Sequence, residues 1–175
     1  VQEGLNNIHL LEGTHIVTEY YVLFEVPMTV SGAGREKTFV EGGGFKIRGE
    51  KDQHCTFFDL TIQKTKESGL YGNDGMSFDC RRVKFDKCGE SGVYAFDTKG
   101  RLTNCQVTNC KNSGVLSQGD STIEIEGEES RINNNCTDGK SYRYYGLEAR
   151  SSSIIHLLSP LTKKDVSTNN NGDKR

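Results

Sequence analysis

Residues 76–93, MSFDCRRVKFDKCGESGV, and residues 102–115, LTNCQVTNCKNSGV, decide the fold of this chain. In both, short segments of alternating apolar and polar residues lead to a Cys, and a Gly followed by an aliphatic residue comes four positions later. The Gly-aliphatic step recurs at Gly69-Leu70, Gly92-Val93, Gly114-Val115 and Gly146-Leu147, with spacings of 23, 22 and 32 residues. Self-similarity at a nearly fixed period is typical of a repeat architecture.

Each repeat is too short to fold alone. It holds two or three alternating segments separated by Gly, Asn and Asp, which is the pattern of short strands and turns. The whole chain has 3 Ala against 11 Val and 20 Gly, a composition that disfavours helices. A unit of about 22 residues with no helix must bury its inner face against copies of itself. The sequence therefore predicts an all-β solenoid.

The repeats resemble those of the right-handed parallel β-helix proteins, the pectate-lyase-like superfamily. The resemblance rests on the Asn104-Cys105-Gln106-Val107 and Ser-Gly-Val segments, and on the opening segments Ile8–His15 and Val26–Gly34. It implies a single-domain right-handed parallel β-helix over residues 1–160, and a C-terminal cap with a polar tail or linker over residues 161–175. About six coils at roughly 4.8 Å each would form a rod of about 30 Å. The residues expected to face inward are Val83, Phe85, Val93, Leu102, Val107, Val115, Ile123, Ile125, Ile132, Leu147 and Ile154.

Charge and cysteine content exclude several classes of protein. The net charge of -2 argues against a general nucleic-acid binder, and no run of 12 apolar residues suggests a membrane span. Residues Val1–Leu11 lack the basic and apolar pattern of a signal peptide. Cys80 with Cys105, and Cys88 with Cys110 and Cys136, are expected at equivalent positions of adjacent coils. Buried free thiols are favoured over disulfides there, which leans towards a reducing compartment.

An acidic column is the first candidate site. Asp74 and Asp97 follow their repeat Gly by five residues and Asp120 follows by six, so the three carboxylates are expected on neighbouring coils. Such carboxylates raise one another's proton affinity or recruit a cation. Members of the superfamily that act on glycans use clustered Asp for acid–base chemistry or calcium. The alternative is that each Asp begins an ordinary turn.

An insertion supplies the second candidate site. The interval from Gly114 to Gly146 is ten residues longer than the preceding one, and part of the excess falls in 137–145, TDGKSYRYY. Insertions in repeat arrays often map to the binding face. We expect a ligand-binding surface of Tyr142, Arg143, Tyr144 and Tyr145, with Tyr71 and Tyr94 along the same edge. Aromatic rings beside a guanidinium suit a sugar. The alternative is that these tyrosines only cover exposed core.

The functional prediction is a non-catalytic β-helix module that presents a side surface to a glycan, such as a polysaccharide, or to a protein partner. It requires no cofactor and no metal. One rival is a lyase, hydrolase or epimerase acting on uronic-acid glycans, with Asp74, Asp97 and Asp120 as catalytic groups or calcium ligands. The polygalacturonase strings Asn-Thr-Asp and His-Gly are absent. The other rival is a structural spacer in a larger protein.

Overall fold

The computed structural model describes residues 6–138 and 143–171, and these form strands in repeating sets of three. None of the helices in this described part is long and apolar enough to cross a membrane. A short helix, α1 (Lys163–Val166), lies near the C-terminal end. In chain order the strands are β1 (Asn7–Leu10), β2 (Gly13–Ile16), β3 (Tyr21–Phe24), β4 (Thr29–Gly32), β5 (Thr38–Gly42), β6 (Gly44–Arg48), β7 (His54–Phe58), β8 (Thr61–Thr65), β9 (Leu70–Asn73), β10 (Ser77–Arg81), β11 (Lys84–Asp86), β12 (Val93–Phe96), β13 (Lys99–Thr103), β14 (Gln106–Thr108), β15 (Val115–Gln118), β16 (Thr122–Glu126), β17 (Arg131–Asn133), β18 (Leu147–Ala149), β19 (Ile154–Leu157) and β20 (Ser167–Thr168).

Every strand pairs in parallel with the strand three places along the chain, which produces three sheets. Sheet A has the order β1-β4-β7-β10-β13-β16-β19, and sheet B the order β2-β5-β8-β11-β14-β17-β20. Sheet C has the order β3-β6-β9-β12-β15-β18. Parallel strands need a crossover connection, and here the other two sheets supply it. The chain therefore winds as a solenoid of about six coils, and the predicted fold class is confirmed; six steps of about 4.8 Å give a rod of roughly 30 Å.

The Gly-aliphatic steps of the sequence lie at one position of successive coils. Leu70 pairs with Val93, Val93 with Val115 and Val115 with Leu147. The glycines before them are required by close packing between coils. A Cβ atom on Gly92 would lie 2.9 Å from the Gly114 carbonyl oxygen and 2.2 Å from a methyl carbon of Val107. Because such contacts leave no room for a side chain, the repeat keeps Gly at this position.

The core fills the inside of the rod with residues at alternate strand positions. The predicted inward residues from Val83 to Ile132 are buried, and Leu147 is partly buried against them. The prediction that Ile154 faces inward was wrong, because Ile154 is 46% exposed. Ile154 pairs with Thr122 on the outer face of sheet A, whereas Ile155 pairs with the buried Ile123. A shift of one residue along a strand exchanges its two faces, so the inward residue is Ile155.

All six cysteines are buried and free, as the sequence predicted. Cys88 and Cys110 lie at matching positions as predicted, since Asp86 pairs with Thr108, but the alignment of the other cysteines differs from the prediction. Cys80 pairs with Leu102, while the Cys105 thiol lies 3.3 Å from the Cys80 carbonyl oxygen. The amide N–H of Cys110 donates to Oδ1 of Asn135, one residue before Cys136. Asn135 therefore occupies the position expected for Cys136, since a buried amide can satisfy the backbone of the neighbouring coil.

The C-terminal segment continues the solenoid beyond Pro160. Strand β20 pairs with β17, and Val166 of α1 is buried in the core. Asn170 extends the polar ladder, because its Oδ1 accepts from the Asn135 amide N–H at 2.9 Å and its Nδ2 donates to the Ile132 carbonyl at 2.9 Å. The first residues of the polar tail are therefore part of the last coil. At the end of the rod these side-chain amides satisfy backbone hydrogen-bonding groups that strand pairing satisfies in the other coils.

Candidate functional site

Two adjoining cavities lie along the outer side of sheet A, with volumes of about 480 and 430 Å³. Both are lined by Ser77 and Lys99, so they form one continuous depression, called here the sheet A groove. Its charged lining residues are Lys51, Asp97, Lys99, Arg101, Asp120 and Glu124, and its polar neutral ones include His54, Ser77, Thr98 and Thr122. An elongated polar depression of this kind suits an extended polar ligand.

Strand register brings the groove residues together. Ser77 pairs with His54 on one side, and Lys99 pairs with Thr122 on the other. Because Phe78 pairs with Gly100, Ser77 and Lys99 occupy matching positions just before them. Each of these side chains points outward, since its strand neighbour points into the core. The groove therefore crosses four coils, which at about 4.8 Å per step is roughly 14 Å.

Several charged groups in the groove have no partner among the residues that the structure describes. Arg101 is bound to Glu124, with 2.9 Å between Nε and Oε2. In the described residues, by contrast, the side chains of Lys51, Lys99 and Asp120 make no hydrogen bond or ion pair. The His54 ring nitrogen Nδ1 lies 2.8 Å from the Ser77 hydroxyl, which also donates to the Gln53 carbonyl. Unpaired ammonium and carboxylate groups are thus available to a ligand.

The structure brings together two of the three predicted acidic residues. Asp74 and Asp97 lie at matching turn positions with φ values of 60° and 52°, but the next coil has Gly119 there, with φ of 71°. Asp120 follows it and donates its backbone N–H to Asp97 Oδ1 at 2.8 Å. Asp97 and Asp120 line the sheet A groove, whereas Asp74 lines a separate cavity with Glu25 and Arg48. Over residues 6–138 and 143–171, no three His, Cys, Asp or Glu side chains form a cluster suited to a metal ion.

Tyr71 and Tyr94 lie together on the outer face of sheet C, and their rings stack on one another. The ring centroids are 4.8 Å apart with an interplanar angle of 10°. Lys46, which pairs with Tyr71, places Nζ 4.9 Å from the Tyr71 ring centroid. Tyr94 donates its hydroxyl to Gln118 Oε1 at 3.0 Å. The face that each ring turns to the other is unavailable to a sugar.

The described end of the inserted loop, at Tyr145, is attached to the chain just before strand β15. Tyr142 lies outside the described residues, Arg143 is exposed, Tyr144 is half-buried and Tyr145 is 37% exposed. Tyr145 donates its N–H to the Ser113 hydroxyl at 3.2 Å.

An ion pair between the buried Glu148 and the partly exposed Arg150 fastens this loop. Arg150 donates from Nε to Glu148 Oε1 at 2.5 Å and from a terminal nitrogen to the Arg143 carbonyl at 3.2 Å. Glu148 is buried and accepts from the Ser113 hydroxyl. The described part of the loop is thus tied to residues next to strands β15 and β18, while Arg143 and Tyr145 still reach solvent.

The groove residues Lys51, Ser77 and Lys99 were not among the predicted site residues. Their signal in the sequence is weak, because isolated polar residues on outward positions are ordinary for a solvated face.

Comparison with known proteins agrees with the architecture. The family model described as the right handed beta helix region matches residues 30–130, more than half of the chain. Neither a curated protein nor a solved structure matches the chain. The matched range covers the coils that build the groove between β7 and β16. The chain belongs to the right-handed β-helix family.

Proposed function

We propose that this chain is a non-catalytic binding module that holds an extended polysaccharide in the sheet A groove. One observation carries the proposal: a continuous groove whose Lys51, Lys99 and Asp120 side chains are unpaired in the described chain. A charged group without a partner at the protein surface is solvated and ready to exchange water for ligand hydroxyl groups. The ligand would lie along the rod, across successive coils.

The chemistry of the groove favours a sugar chain over an apolar ligand. Ser77 and Thr122 offer hydroxyl groups, and carboxylates accept from sugar hydroxyls. The ammonium groups of Lys51 and Lys99 suit the carboxylates of uronic-acid units, to which they would donate charge-assisted hydrogen bonds. A repeating ligand also matches a surface on which similar positions recur once per coil.

The experiment is retention on a panel of immobilised uronic-acid and neutral polysaccharides. We expect Lys99→Ala and Lys51→Ala each to weaken binding about 10-fold, the effect of losing one charge-assisted hydrogen bond. Lys111→Ala is the matched control, since Lys111 is exposed outside the groove and loses the same charge. Equal retention of all three variants would contradict the proposal.

The tyrosine surface provides an internal comparison. If a glycan contacts the edges of Tyr71 and Tyr94 and the loop residues Tyr142, Arg143, Tyr144 and Tyr145, then Tyr144→Ala and not Lys99→Ala would lose retention. That result would move the site from sheet A to sheet C. No retention on any polysaccharide would instead favour a protein partner or a spacer role.

A polysaccharide-active enzyme is the second candidate, because Asp97 and Asp120 share the groove with Lys51 and Lys99. Carboxylates beside cations in one cleft are the groups that acid–base cleavage of glycans uses. The test follows unsaturated products and new reducing ends on uronic-acid polysaccharides, with and without calcium. Turnover that is lost in Asp97→Asn would support the enzyme, and binding without turnover would support the module.

A further inference from the structure

Two glutamates meet at a corner of the rod away from the sheet A groove. Glu67 lies between β8 and β9, and Glu90 lies one coil later, between β11 and β12. The backbone N–H of Glu90 donates to the Glu67 carbonyl at 3.3 Å, so the two residues are neighbours across adjacent coils. Both side chains are half-buried. The corner therefore places two carboxyl groups side by side with limited access to water.

The described residues supply no cation to this pair. Neither glutamate takes part in an ion pair there. The nearest lysine in the sequence, Lys66, donates its Nζ to the Thr18 carbonyl at 2.5 Å and lies 5.5 Å from the Tyr20 ring centroid. Burial, followed by the charge and hydrogen bonding of Glu67, raises the pKa of Glu90. Two ionised carboxylates here repel one another, and an added positive charge would relieve that repulsion.

A buried hydroxyl group faces the same corner. Ser68 is 1% exposed, and its Oγ makes no hydrogen bond of regular geometry. The Ser68 side chain nevertheless lies beside both Glu90 and Tyr21, where weak hydrogen bonding from it partly opposes the rise that burial causes in the pKa of each. A buried hydroxyl without a well-formed bond is uncommon and calls for an explanation. An additional ligand at the corner would provide one.

Tyr21 closes the other side of the corner. Its hydroxyl oxygen accepts from the Ser68 backbone N–H at 3.1 Å. Burial is the main cause that raises the pKa of Tyr21 to about 12, and the charges of Glu90 and Glu67 add to it. Tyr21 therefore stays protonated and neutral at ordinary pH. Burial raises the pKa of Tyr94 as well, and the charge of Glu90 adds to that rise. The net charge of the corner comes from the two glutamates.

We propose that Glu67 and Glu90, with the Ser68 hydroxyl, bind one divalent cation of the calcium type that links two neighbouring coils. Hard cations of this kind prefer carboxylate and other oxygen ligands, and water completes the coordination. No His or Cys nitrogen or sulfur ligand is required. With only two carboxylates, the affinity would lie in the range of weak calcium modules, with a Kd of about 0.1–1 mM.

The experiment measures calcium binding by isothermal titration and by thermal unfolding in 0 to about 10 mM CaCl₂, a range chosen to exceed that Kd. We expect the melting temperature of the wild type to rise with calcium. Glu67→Gln and Glu90→Gln should each weaken binding at least about 10-fold, while Glu128→Gln, an exposed control, should bind as the wild type does. Glu→Gln preserves shape and removes the repulsion, so both variants should fold, which circular dichroism checks.

Further variants and conditions make the result decisive. Binding should weaken on acidification, because protons compete for the same carboxylates. Loss of calcium binding in Asp97→Asn but not in Glu90→Gln would place the cation in the sheet A groove and overturn the proposal. No calcium binding by the wild type would overturn it as well. Because the corner lies outside the groove, neither result depends on polysaccharide retention.

Discussion

Phe78 and Gly100 form a large–small pair in the core, and this pair predicts a strong coupling between two mutations. They are register partners on β10 and β13, and Phe78 is 1% exposed. A Cβ atom on Gly100 would lie 2.2, 2.5 and 2.8 Å from three Phe78 ring carbons. Carbon atoms normally touch at about 3.5–4.0 Å, so Gly100→Ala requires the ring to move by more than about 1 Å. Overpacking costs about 1–3 kcal/mol, and the smaller entropy of unfolded Ala returns about 0.4–1 kcal/mol. We expect a net loss of about 1–2 kcal/mol.

The double variant tests the reasoning. Phe78→Leu alone should cost about 1–3 kcal/mol, because it leaves a cavity in the core. In the double variant the alanine methyl group fills part of the space that the ring vacates. The combined loss should therefore be smaller than the sum by about 1–2 kcal/mol, a coupling usual for residues in contact. Urea unfolding of the four proteins measures it. Additive losses within about 0.5 kcal/mol would refute the packing account.

Two further predictions concern the cysteines and the glutamate pair. Burial raises the pKa of Cys80 and Cys110 well above the ordinary value and that of Cys105 to about 12. A thiol reagent should therefore label the native protein slowly. In urea the same reagent should label all six cysteines. Rapid native labelling would contradict the buried positions. Because the pKa of Glu90 in the folded chain is raised above 4.5, its contribution to stability is fully present below that pH and is lost as the pH rises through the folded pKa. Without divalent cations, Glu90→Gln should therefore have a higher melting temperature than the wild type at neutral pH and lose this advantage below about pH 4.5. If the variant and the wild type differ in melting temperature by the same amount at both pH values, the two carboxyl groups do not interact.

The sequence predicted the fold well because one position per coil cannot vary. Close approach to the next coil forces Gly69, Gly92 and Gly114, and the aliphatic residue after each must fill the core. These constraints are local and recur at nearly constant spacing. The prediction was wrong at Ile154, which follows the long insertion, because counting residues across a loop of irregular length cannot fix which strand face points inward.

The site residues were harder to predict, since their arrangement depends on pairing between coils. Asp120 looked equivalent to Asp74 and Asp97, but the turn places Gly119 at that position. Tyr71 and Tyr94 suggested free aromatic faces, yet their matching positions make the rings stack on one another. In the sequence Lys99 is an isolated lysine, which by itself does not indicate a binding site. Its significance comes from the absence of a described partner and from Ser77 beside it, which only three-dimensional placement reveals.

The tyrosine stack of sheet C also gives the chain a built-in optical reporter. The chain has no Trp, so its absorption and circular dichroism near 280 nm come mainly from seven Tyr. The ring centroid of Tyr71 lies 4.8 Å from that of Tyr94 and 6.3 Å from that of Tyr21. Neighbouring chromophores couple at such distances. Near-ultraviolet dichroism reports fixed side-chain packing. Its loss on heating would therefore follow the separation of these central coils, while the far-ultraviolet signal would follow the strands of the whole rod.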